Sequence, residues 1–495
     1  MQNNFLVNII YDKSNPLIFT SGFFLLAFTI FLLFYSFVYN KKSLRNIYVI
    51  TFSLYFYYKT SGDFVLVLIG SIVAYYIIGL VIHNTDFKNL RRFSFLLGIF
   101  ANVCTLAYFK YVNFIVENVN VILGGNFSKV DIFLPIGISF FTFQSISYLT
   151  DIFRRNLAPT ENILDYTFFV SFFPYIVAGP IVRASDMLPQ INNDLIIDKN
   201  DVALGFSMIC KGIIKKGIFA YYISQYCDLI YGSPLGFSGF ENFIAMIGYT
   251  VEIYLDFSGY SDIAIGLSRL MGFKIKPNFD SPYKSKNLID FWKRWHISLS
   301  TWLRDYLFLP LNYFYVRHSN KKKYYLLSAY IFATTITMFI AGLWHGSSNK
   351  YLIWGSLHGL GLIINRTYLF TVKKSIQKLK VLRFIGRILT ISFILTTWVI
   401  FRANDFNDAF ASLNLIIFSF DIDYIFPFYN ARTLYSIFLL ISIILIFLPD
   451  ILKIKIISIY ISMPIYVKAI IFIILIQIIL QIQTESIQPF IYYQF

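Results

Sequence analysis

Apolar runs long enough, or nearly long enough, to cross a bilayer recur along the whole chain. They lie near 17–38, 46–59, 64–82, 93–118, 132–152, 163–178, 203–230, 242–271, 325–344, 351–370, 388–401, 433–449 and 464–482. Hydrocarbon offers no water to satisfy backbone N–H and C=O groups, so runs of this length must be helices that pair those groups internally. Charged residues make up 14% of the chain, against about 25% in soluble domains. This combination excludes a soluble enzyme, a disordered chain and a fibrous one. The chain reads as an all-α polytopic membrane protein, with room for roughly 10–14 spans. The shorter runs are expected to be re-entrant or buried within the bundle. No internal repeat is visible, which weighs against a transporter built from inverted repeats.

The net charge is +16. In a soluble protein that would suggest nucleic acid, but here the cations sit in short loops between apolar runs, the positive-inside pattern. Lys41, Lys42 and Arg45, then Lys88, Arg91 and Arg92, then Arg154 and Arg155, then Lys321, Lys322 and Lys323, and the strip from Lys373 to Arg387 are all expected on the cytoplasmic side. The stretch 404–425, with Asp405, Asp408, Asp421 and Asp423, is expected outside, as is the N-terminus. The run Leu17–Val38 reads as a first anchor. No nucleic-acid partner is expected. Cys104, Cys210 and Cys227 form no CxxC pair and read as small buried hydrophobes. No HxxxH, HExxH, phosphate-binding loop or GxSxG elbow is present, so no metal and no bound cofactor is expected.

The chemistry gathers in four segments. From Lys274 to Asp305 a loop with Pro277 and Pro282 leads into a helix whose Leu288, Trp292, Trp295, Leu299, Trp302 and Tyr306 form one apolar stripe. Lys293, His296, Ser300 and Arg304 fall on an adjoining polar stripe. An interfacial amphipathic helix accounts for the tryptophans and lysines but does not require His296 and Ser300 on the border. In Gly342-Leu343-Trp344-His345-Gly346, His345 ends an apolar run between glycines that permit close approach. It is either a functional intramembrane histidine or a neutral one bonded to a neighbouring carbonyl. Gly179-Pro180 makes a turn ahead of Arg183, a side chain suited to an anion or carbonyl. The segment 254–262 sets Asp256, Ser258, Ser261 and Asp262 in apolar surroundings, where carboxylates need partners or a wet cavity. Together with Arg183 and Arg269 these residues form either a polar interior or a structural network. His358 reads as structural, and His83 and His318 as solvated.

Five segments carry a resemblance: LPIGISFFTFQSISYLTDIFR (134–154), VAGPIVRASDMLPQI (177–191), YLDFSGYSDIAIGLSRLMGF (254–273), SPYKSKNLIDFWKRWHISLSTWLRDYLFLPL (281–311) and GLWHGSSNKYLIWGSLHG (342–359). In this order, with the ending FIYYQF, they resemble the membrane-bound O-acyltransferase (MBOAT) family, in particular the bacterial alginate O-acetyltransferase-like subgroup. Residues 1–130 supply only a span pattern, as N-terminal transmembrane helices. Residues 131–495 would form the family core, in one continuous membrane domain. The segment Ser347–Lys350 is more polar than the family pattern, which bears on substrate preference rather than on the histidine.

The resemblance implies a ring of tilted and re-entrant helices around a central tunnel, in the bacterial inner (cytoplasmic) membrane. His345 would be the catalytic base and His296 the donor-site or polarising residue. Arg183, Asp256, Ser258, Ser300, Arg304 and Asp305 would be supporting, substrate-binding residues. The implied donor is acetyl-CoA or another acyl thioester, including an acyl-carrier form, held as substrate rather than cofactor. The implied acceptor is an extracytoplasmic polysaccharide or peptidoglycan. A secreted or membrane-anchored serine-hydrolase-like acetyltransferase is the expected protein partner, since the polar stretches 183–202 and 274–294 are too short to fold alone. Membrane lipids surround the chain. The alternatives are D-alanyl or other acyl transfer to teichoic acid, lipid or protein, a transporter or flippase, and a scaffold subunit that needs neither histidine.

Overall fold

A computed structural model describes residues 10–12, 16–317 and 323–482. His318, Lys321, Lys322 and the FIYYQF ending lie outside the described residues. Among the described residues the regular elements are all helical. Four helical segments are long and apolar enough to cross a membrane: Lys42–Asn84, Lys88–Leu123, Tyr324–His345 and Lys380–Arg402. Two further pairs, Phe406–Phe418 with Ile422–Ala431 and Thr433–Phe447 with Asp450–Ser462, bend by 99° at short breaks and count as broken spans or re-entrant loops, for up to 6 in all. This is fewer than the expected spans. The run at 132–152 becomes a 16-residue helix, Ile138–Phe153, and the run at 163–178 breaks at Phe172 into two short helices. These helices are largely buried. At the other extreme, Lys88–Leu123 has 36 residues, about 54 Å of helix, more than a bilayer core needs.

The described residues form two compact units: 10–12, 16–211, 260–276 and 461–482 in the first, and 212–259, 277–317 and 323–460 in the second. The first unit is organised by aromatic packing. Phe173 sits edge-on to Phe31 and Phe52 at ring distances of 5.8 and 5.0 Å, and Phe31 stacks on Tyr48 at 4.9 Å. A buried polar tie accompanies this core. Arg45 donates to the Ile191 carbonyl and to Asn46 Oδ1, and Asn46 donates to Asp165. Pairing of this kind is what makes buried polar groups tolerable.

In the second unit the Lys323–His345 and Asn349–Thr371 helices cross at glycines. A Cβ on Gly342 would lie 2.3 Å from the Tyr351 carbonyl, and one on Gly355 would lie 2.4 Å from the Met338 carbonyl. Small residues at such crossings let backbones touch in a bilayer. Lys284 Nζ donates to the Leu448 carbonyl at 2.8 Å and to Asp450 Oδ1 at 3.0 Å, pinning the bend after Phe447 to the loop that precedes Leu288. Of the cysteines, Cys210 and Cys227 are buried, whereas Cys104 is exposed on the Lys88–Leu123 helix.

Candidate active site

His345 is the last residue of its 23-residue helix and is buried. Aromatic rings surround it edge-on: Trp344 at 4.9 Å, Trp354 at 4.8 Å and Phe401 at 5.3 Å between centroids. Gly346 lets Tyr351 close on the turn that follows, where a Cβ would meet the Tyr351 ring at 2.1 Å. The glycines flanking His345 therefore serve protein–protein packing. Two charged groups complete this end. Lys350 donates to the Ala403 carbonyl, and Arg402 pairs with Asp228.

His296 sits differently. The helix expected to run through 288–306 is broken at this residue, giving Leu288–Arg294 and Ile297–Leu303, with His296 itself at φ 42°, ψ 56°. The left-handed conformation is uncommon for a residue with a Cβ and needs support from its surroundings. That support comes from the loop at Asn278–Asp280. The Ile297 N–H donates to the Asn278 carbonyl at 2.8 Å, and the Asp280 N–H donates to the Arg294 carbonyl at 3.0 Å. The expected apolar stripe is nonetheless buried, including Leu288, Trp292, Trp295, Leu299, Trp302 and Tyr306. The His296 ring meets Phe257 edge-on at 4.6 Å and lies 5.9 Å from Trp344. Trp344 thus neighbours both histidines, which are far apart in sequence. Burial pushes the imidazole pKa of His296 down from 6.5 to about 3, so it is neutral at physiological pH.

The remaining candidates divide. Phe257 is flanked by Asp256 and Ser258. Asp256 is ion-paired with Lys216, and Ser258 accepts from Lys215 Nζ at 3.0 Å. Both lysines lie on a widened, π-type turn at Ile214–Ala220. Such turns recur at functional sites. Ser300 donates to the Trp295 carbonyl at 3.0 Å and so secures the helix break. Arg304 and Asp305 pair with each other at 2.7 Å with Arg304 largely exposed, and this contact holds the Arg304 pKa up. Arg183 belongs to the first unit, directly ahead of the Ala184–Asn192 helix. In that unit Asp262 pairs with Lys211 at 3.0 Å and Arg269 with Asp201 at 3.1 Å. His358 is buried, taking a hydrogen bond from Trp292 Nε1 at 3.3 Å and meeting Thr397 Oγ1 at 3.1 Å, as a structural histidine does. The sequence reading missed Lys215, Lys216 and Asn278. Two lysines inside an apolar run were the available signal; Asn278 offered none. Among the described residues no cluster of three or more metal-ligating side chains occurs.

Residues 95–404, which include both histidines, match the sequence model of the membrane-bound O-acyltransferase family. The chain belongs to the MBOAT family. It is similar to a peptidoglycan O-acetyltransferase of Helicobacter pylori, 34% identical over 74% of this chain and 72% of that protein. It is similar also to a probable alginate O-acetylase, AlgI, of Pseudomonas aeruginosa, 37% identical over 79% of this chain and 72% of that protein. A teichoic acid D-alanyltransferase of Streptococcus thermophilus is 32% identical over 49% of this chain and 59% of its own length.

This MBOAT protein is an acyltransferase of the membrane. Acyl transfer to a hydroxyl needs a group that removes a proton and a site that keeps water out. Imidazoles buried among Trp and Phe rings suit both needs. A dry, low-dielectric setting strengthens each polar contact made there.

Proposed function

We propose that this enzyme takes an acetyl group from a cytoplasmic thioester, acetyl-CoA or an acyl-carrier form, and delivers it across the bacterial cytoplasmic membrane for O-acetylation of an envelope polysaccharide or peptidoglycan. The observation that carries the reading is the pair of buried histidines sharing Trp344. In the proposed step His345 accepts the proton of an attacking hydroxyl as its oxygen bonds to the thioester carbon. The tetrahedral intermediate then expels the thiolate, breaking the C–S bond. The thiolate takes up the proton from the imidazolium, so the products are an ester and a free thiol. A positioned base of this kind contributes about 10²–10⁴ in rate.

The matches named for O-acetylation of peptidoglycan and alginate span about three quarters of this chain, and the D-alanyl relative about half. That difference favours acetyl over D-alanyl as the cargo. A long hydrated polymer does not fit among the buried rings around His345. A secreted or membrane-anchored serine-hydrolase-like partner would therefore receive the acetyl group on a hydroxyl and pass it on. Asp256, Ser258, Ser300, Arg304 and Asp305 support the His296 side in this reading.

Membrane vesicles carrying the enzyme test the cargo. They are supplied on the cytoplasmic side with labelled acetyl-CoA or with a D-alanyl carrier protein, and with a hydroxyl acceptor on the other side. Transfer of acetyl is the expected result. Transfer of D-alanine alone would replace the acetyl reading, and transfer of neither would overturn it.

A further inference from the structure

We propose that Asn278 is a positioning residue that holds His296 as the Nδ1–H tautomer, so that His296 presents a lone pair at Nε2 and accepts, rather than donates, a hydrogen bond from the reactants. The inference rests on the acyl-transfer reading above and names a residue that acts through His296 rather than on substrate.

The Asn278 carboxamide is buried, and its contacts fix its orientation. Its oxygen takes the backbone N–H of Ser298 at 3.1 Å and the Ser298 hydroxyl at 2.9 Å. A backbone N–H only donates, so the atom facing it is the carboxamide oxygen and not its NH2. The same oxygen lies 3.3 Å from His296 Nδ1. An acceptor oxygen facing a ring nitrogen is favourable only if that nitrogen carries the hydrogen. The Ser298 hydroxyl lies 3.4 Å from Nδ1, and with its proton on Asn278 it can accept from an Nδ1–H. Protonation at Nδ1 leaves the lone pair of the neutral ring on Nε2.

The backbone makes the arrangement rigid. Asn278 also receives the Ile297 N–H on its carbonyl, so one residue fixes both the left-handed turn at His296 and the tautomer of its ring. Phe257, edge-on at 4.6 Å, restricts ring rotation. The consequence refines the role of His296. A neutral ring with Nδ1–H committed to Asn278 has no N–H to offer a thioester carbonyl. It is suited to accept a hydrogen bond and so orient a donor group of the substrate. Outer residues that set an imidazole's tautomer are a recognised second layer of a site.

The test combines a spectroscopic and a kinetic readout on the full-length protein in detergent. Nitrogen-15 NMR of histidine-labelled protein, with the His296 signals identified by their loss in His296→Gln, should show a protonated Nδ1 and an unprotonated Nε2. Asn278→Asp keeps an acceptor oxygen at the same place and should keep that signature and most activity. Asn278→Ala should lose the signature and lower kcat by about 10–100-fold, with donor KM little changed. The opposite tautomer in the wild type, or equal losses in Asn278→Asp and Asn278→Ala, would overturn the proposal. If Asn278→Ala fails to accumulate, the wild-type and Asn278→Asp spectra still decide it. A wild type with the expected tautomer but no acyl transfer from any thioester would instead refute the functional reading.

Discussion

The two histidines occupy opposite kinds of seat. His345 ends a long apolar helix and is held by ring edges and a glycine crossing, with its charged neighbours Arg402 and Lys350 committed to Asp228 and the Ala403 carbonyl. His296 stands at a break between two seven-residue helices, in a left-handed backbone secured by a polar loop. The apolar seat resists water and depends on close packing. The polar seat fixes orientation and protonation and depends on hydrogen bonds. The first should fail when volume is added, the second when charge or protonation changes.

Gly355→Val attacks the apolar seat alone. Its Cβ would meet backbone atoms, the Met338 oxygen at 2.4 Å and Gly342 Cα at 2.8 Å, so the His345 helix must move. A displacement of about 1 Å at a catalytic group costs about 100-fold in rate, and acyl transfer at matched protein level should fall by that order. Gly70→Ala, with open space around its Cβ, should leave activity unchanged.

Lys216→Met strikes the support beside the polar seat. The Lys216 and Asp256 side chains are 8% and 11% exposed, and removing one partner of a buried pair costs about 3–5 kcal/mol. The unfolding midpoint in detergent should drop clearly, and the double variant Lys216→Met with Asp256→Leu should recover much of the loss. Equal destabilisation in single and double variants would show that the pair is not the unit that matters.

Acid should weaken the polar seat as well. The folded state holds His296 neutral with its pKa lowered from 6.5 to about 3. Between these values the unfolded chain binds the proton and the folded one does not, so stability is full above about 6.5 and is lost as pH falls towards about 3. The acid-induced fall in unfolding temperature should shrink in His296→Gln; an unchanged fall would assign it to other groups. The smallest effect is expected from Arg304→Gln. The Arg304 side chain is 58% exposed, and such pairs contribute about 0.2–1 kcal/mol, a change in midpoint near the limit of measurement.

The sequence carried the apolar seat well and the polar seat poorly, for physical reasons. Hydropathy and the Gly-Leu-Trp-His-Gly pattern are local, and they put His345 at a helix end, where it lies. The three-to-four spacing from Leu288 to Tyr306 correctly marked the buried side chains. It could not reveal the break at His296, because no glycine or proline stands there; the break is imposed by the distant Asn278–Asp280 loop. Lys215 and Lys216 were hidden inside a run averaged as apolar, although paired lysines in such a run require partners. Asn278 lay in a polar, proline-bounded loop that resembles any surface turn. Arg183 stands in a strong local motif, but spacing along a chain says nothing about which compact unit a residue joins, and it belongs to the first.

The central claim is that acyl groups pass to the outside through chemistry at His345. Purified enzyme in liposomes, with labelled acetyl-CoA enclosed and a hydroxyl acceptor of the serine-hydrolase-like class outside, measures this directly as label appearing on the external protein. The account predicts robust labelling by the wild type and a loss of at least about 100-fold in His345→Ala at equal incorporation. Equal labelling by the two proteins would contradict it.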